Sequence, residues 1–140
     1  MRRLLATIAL LALPGLVACA GGGADDPSPA ASGPSGSLGV MTAEGGSRTL
    51  DALCDLRAAT DRGRANALFF DEAHQALHVL AAATETVDRV PAAGLLETKQ
   101  IVEADLQADT LPTAFPDDVG ALLEATRTAL ETVDLPAPRC

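Results

Sequence analysis

From Leu50 onward, apolar residues recur at helical spacing in four stretches divided by turn signals. The first covers residues 50–59 and turns Leu50, Leu53, Cys54 and Leu56 inward. Thr60-Asp61 interrupts it and offers an N-cap to a long, alanine-rich second helix over residues 62–86. The third covers residues 91–106, with Pro91 in its first turn and Leu95, Leu96, Val102 and Leu106 as its apolar side. The fourth starts at Pro116, with Asp117 and Asp118 placed where the helix dipole favours negative charge. Val119, Leu122, Leu123, Thr126, Leu130 and Val133 then form an amphipathic stripe. Alternating β-branched runs are missing, so the pattern predicts an all-α domain over residues 48–140. Its short connections predict a small up-down bundle of three to four helices.

Residues 19–47 break this pattern. Glycine, serine, proline and alanine dominate there, without the apolar periodicity a core requires. Such a composition predicts a coil-like tether. Ahead of it, Met1-Arg2-Arg3 is positive, residues 4–13 are almost wholly apolar, and Pro14 follows. The apolar run is too short to cross about 30 Å of hydrocarbon, so residues 1–18 read as a cleaved export signal. The surroundings of Arg2-Arg3 fit the general secretory route better than the twin-arginine route.

Leu16-Val17-Ala18-Cys19 resembles the lipobox of bacterial lipoproteins. The resemblance implies that Cys19 carries diacylglycerol on its sulfur and becomes the first residue of the mature chain. Such an anchor places the protein on the extracytoplasmic side of a cell membrane, where two acyl chains hold it stably. It also changes the cysteine arithmetic. With Cys19 lipidated, Cys54 and Cys140 remain as an even pair in an oxidising compartment, where a disulfide is expected. A bond between them closes nearly the whole domain and is worth about 4 kcal/mol in the chain-entropy model. Zinc held by both cysteines is the lesser reading, because no C-x-x-C spacing supports it.

Charge then removes several functions. Loss of Arg2 and Arg3 leaves 8 basic residues against 19 acidic ones, a formal charge of −11. The chain has no tyrosine, no tryptophan and no basic run. Nucleic acid is therefore excluded as a partner, lacking both a cationic groove and stacking aromatics. No serine follows Ser47, and no nucleophile motif is present, so an enzyme is not expected.

The remaining chemistry lies on the second helix, which holds both histidines of the chain. At 100° per residue from Leu68, Asp71, His74, His78 and Glu85 fall between roughly 240° and 300°, opposite Phe69, Ala73, Ala76 and Leu80. On that projection the histidines are solvent-facing and share their face with two carboxylates. Imidazoles at i and i+4 can hold one cation, and such a donor set suits a divalent transition metal, zinc or copper. The segment is not H-E-x-x-H, since Gln75 follows His74, and haem has no C-x-x-C-H to attach it. Lys99, the sole lysine, lies near Glu97 and Glu103 on the third helix as an ordinary ion-pair partner. Two functions fit these residues. One is a membrane-anchored interaction module that meets a protein partner in the cell envelope. The other is a metal-binding or metal- and pH-sensing lipoprotein that uses the His74/His78 face.

Overall fold

The computed structural model describes residues 39–140. The stretch read as an export signal, Cys19 and most of the stretch read as a tether lie outside the described residues. Four long helical segments form the bundle. They are α1 (Ala43–Arg57), a composite second segment, α4 (Arg89–Gln107) and α5 (Phe115–Thr132). The composite consists of α2 (Arg62–Asn66), a π-helical stretch (Ala67–Ala73) and α3 (His74–Glu85). α1 packs on the π stretch and α5, α3 on α4 and α5, and α4 on α5. The core between them is built from leucines, Phe69, Phe115 and alanines. Among the described residues there is no strand.

Side-chain caps set several of the boundaries. Thr42 Oγ1 accepts the Gly45 N–H at 3.1 Å, Asp61 Oδ1 accepts that of Arg64 at 2.8 Å, and Asp88 Oδ1 accepts that of Val90 at 2.8 Å. Each carboxylate or hydroxyl satisfies a donor that the first helical turn leaves unpaired. On α5, Pro116 and the Asp117-Asp118 pair occupy the first turn as expected, and every member of the predicted stripe through Leu130 is buried. Leu96, expected inside, is instead 36% exposed.

The first helix corrects the predicted end of the tether. Met41 is already buried, and α1 begins at Ala43, inside the stretch read as linker. Gly45-Gly46-Ser47 looks unsuited to a helix, because each glycine costs about 1 kcal/mol against alanine there. Packing explains Gly46. A Cβ at that position would lie 2.8 Å from Leu130 Cδ2, so the bare backbone lets α1 close on α5. A Cβ on Gly94 of α4 would meet nothing within 4 Å. Gly94→Ala is therefore expected to raise stability by about 0.5–1 kcal/mol through helix propensity. Gly46→Ala should lose about 1 kcal/mol net, since overpacking outweighs propensity. Urea midpoints at constant slope would check the pair, and equal shifts for both would refute the packing account.

The C-terminal end of α5 turns the chain back. Asp134 adopts φ 57°, its N–H bonds to Glu131 O, and the Leu135 N–H reaches Leu130 O at 2.9 Å. These two bonds form a Schellman closure with an aspartate where glycine is usual. Leu135 and Ala137 then pack against the core, and Arg127 Nε donates to Pro138 O at 3.2 Å. This route delivers Cys140 to Cys54, and the two form the expected disulfide with Cα atoms 5.8 Å apart.

Candidate functional site

The π stretch decides where the helix-two side chains point. In it the backbone N–H of His74 bonds back to Phe69 O, five residues away. The wider turn winds less per residue than an α-helix, so a constant 100° projection loses phase across it. Asp71 is the residue displaced. It is exposed and lines a cleft toward α1 with Arg48, Asp51 and Asp55, so the grouping of Asp71 with His74 does not hold. Glu85 stays on the regular α3 with His78, and both line a shallow cleft beside Gln75 and Leu96.

The histidines are also not solvent-facing as projected. Leu77, Leu80, Ala81 and Thr84 are the buried residues of α3, which leaves His74 and His78 on the flank that α4 covers. His74 Nε2 donates to Glu103 Oε1 at 2.9 Å, and Lys99 Nζ donates to the same oxygen at 2.8 Å. The His74 ring packs edge-on to His78, with centroids 4.8 Å apart. It also stands 5.7 Å from Phe69 and 5.5 Å from Phe70. The result is a seam between α3 and α4 in which one carboxylate serves two nitrogen donors beside an aromatic wall.

Lys99 is the residue whose role the sequence understated. It is 4% exposed, among the most buried polar residues of the domain. The signal was present, for position 99 lies four residues after Leu95, three before Val102 and seven before Leu106, on the apolar stripe itself. A lysine there has to bring its own counter-charge, and Glu103 at i+4 provides it.

These neighbours set the local titration. The pKa of Glu103 is lowered: burial opposes the ionised form, but the hydrogen bond and charge of Lys99 and the bond from His74 outweigh it. His78 is held below its ordinary value by burial, by the Lys99 charge and by His74, with Glu103 acting the other way. The same ammonium weighs against metal at this seam. Glu103 is already paired with Lys99, so a divalent ion on His74 and His78 would meet that ammonium, and the carboxylate left near His78 is Glu85. Among the described residues, no cluster of three or more His, Cys, Asp or Glu side chains is arranged to hold a metal ion. A second polar strain point lies between α4 and α5. Asp105 Oδ2 is buried without a partner, and burial together with Asp118 raises the pKa of that carboxyl.

No protein-family model, curated protein or solved structure matches the chain.

Proposed function

We propose that the chain is an exported lipoprotein, anchored through Cys19 on the outer side of a cell membrane, whose acidic helical domain is a non-enzymatic interaction module of the envelope. The observation that carries this reading is the Cys54–Cys140 bond. Disulfides persist in oxidising compartments, and a signal ending in Leu16-Val17-Ala18-Cys19 leads to one. The two features are independent and agree. The α3–α4 seam supports a module over an enzyme, because its lysine, glutamate and histidine satisfy one another and hold two helices together.

Metabolic labelling with an alkyne-tagged fatty acid in a lipidating bacterial host tests the anchor. Wild-type protein is expected to take up the label and sediment with membranes, while Cys19→Ala takes up none. An unlabelled wild-type chain would reject the lipoprotein reading. The alternative role at His74 and His78 narrows to proton sensing, favoured by the burial of Lys99 and the lowered pKa of His78.

A further inference from the structure

One surface of the domain is apolar and open, and it lies where the chain arrives from the tether. A groove of about 560 Å³ runs between the end of α3 and the turn after α5. Met41, Val79, Ala83, Val87, Val133 and Leu135 give it apolar walls. Its volume falls within the roughly 300–1,000 Å³ typical of small-molecule sites. Gly39 and Val40 form one rim, where Val40 is 89% exposed, and Val87 across the groove is 64% exposed. Ligand sites are typically concave and mostly apolar, as this groove is.

The placement and charge of the groove indicate its occupant. Cys19 lies twenty residues before Gly39, a length of chain that spans at most about 70 Å. An anchored chain is thereby held within reach of the bilayer, at high effective lipid concentration. The single charged residue along the groove is Asp134, an acid on an acidic domain. It disfavours a fatty-acid carboxylate or an anionic headgroup at the mouth and leaves zwitterionic lipid acceptable.

We propose that this groove binds one acyl chain of a zwitterionic membrane lipid, making the domain a lipid-engaging module. The proposal rests on the anchored-lipoprotein reading for its supply of lipid, while the groove itself does not depend on lipidation. Wall and floor are held by devices already described: the Schellman turn sets Val133 and Leu135, and the disulfide pins the tail behind them.

The test uses the mature chain without its lipidated cysteine, residues 20–140, exported behind an ordinary signal and titrated with phosphatidylcholine bearing a fluorescent acyl chain, below its micelle concentration. Saturable binding is expected, with phosphatidylglycerol of the same acyl chain clearly weaker. Ala83→Phe fills the floor, and Val87→Asp puts a charge on an exposed rim position that the fold tolerates. Each should weaken binding about tenfold or more, the loss expected when a few methylene groups are kept from an apolar site. Absence of saturable binding, or unchanged affinity in both variants, would overturn the proposal. Equal binding of the anionic lipid would overturn the headgroup assignment. A concentration-dependent dimer in light scattering without lipid binding would assign the groove to a second copy of the chain. Failure of the anchor would appear separately, in the fatty-acid labelling of the wild type.

Discussion

Replacing Cys140 by serine is expected to cost the domain about 4 kcal/mol of stability, the largest loss of any single substitution considered. Cys54 and Cys140 are 86 residues apart in sequence, so their bond constrains nearly every residue of the unfolded domain. The folded state contributes less to the difference. In the folded protein the tail is also held by Leu135 and Ala137 on the core and by the Arg127–Pro138 hydrogen bond, so the native contacts are expected to survive loss of the bond. A small domain has about 5–15 kcal/mol in total, which makes 4 kcal/mol a large share. Urea unfolding of the oxidised wild type, the same protein in dithiothreitol and the serine variant would measure it. The reduced wild type and the variant should coincide, well below the oxidised protein. A loss under about 1 kcal/mol would mean that the unfolded chain is not confined by the bond, contrary to the loop-entropy account.

Glu103→Ala is the second large effect, expected at about 3 kcal/mol. It strips the counter-charge from Lys99, whose side chain is 5% exposed, and leaves a buried ammonium without a partner. Removing one member of a buried pair typically costs about 3–5 kcal/mol, and the 22% exposure of Glu103 places this case at the lower end. Lys99→Met should behave differently. It removes the buried charge and keeps an apolar stem on the Leu95–Val102–Leu106 stripe, while Glu103 retains its bond from His74. Stability within about 1 kcal/mol of wild type is expected there. Equal losses in the two variants would show that the aliphatic stems, not the charges, hold the seam.

The same seam predicts a pH dependence with a definite sign. His78 is depressed below 6.5 in the folded state, so the unfolded chain binds a proton first as the solution is acidified. Its contribution is present above pH 6.5 and is lost as pH falls through the folded value. Glu103 is depressed below 4.5, so its contribution is present above that pH and is lost further into acid. Unfolding midpoints should therefore fall in two stages, and His78→Gln should abolish the upper one. A midpoint that rises on acidification from pH 7 to 5.5 would reverse this assignment.

Several features were legible from residue order because their causes are local. The cap at Asp61, the stripe from Val119 to Leu130 and the acidic first turn of α5 depend on neighbours three or four positions away. Helical periodicity reports such neighbours directly. Asp71 shows where this stops. Its direction depends on whether residues 67–73 wind as an α- or a π-helix, and nothing in their spacing announces the wider turn. Lys99 lay between the two cases. Its position on the apolar stripe pointed inward, but charge argued outward, and the conflict is resolved by Glu103, one turn on along α4 and itself held by His74 of α3.

By itself the sequence determined the all-α class, the Asp61 cap and the amphipathic stripes. The pairing of Cys54 with Cys140 also followed, once Cys19 was set aside for the anchor. These rest on short-range geometry and on counting. Tertiary structure alone decided that Gly46 continues a helix, because the Leu130 side chain occupies the place of a Cβ. It likewise decided that His74 and His78 meet a buried Lys99–Glu103 pair, because the π stretch sets the phase of α3 and α4 closes over its flank. The groove beside Gly39 arises from three segments far apart in the chain, and no local pattern encodes a concavity that exists only once they pack.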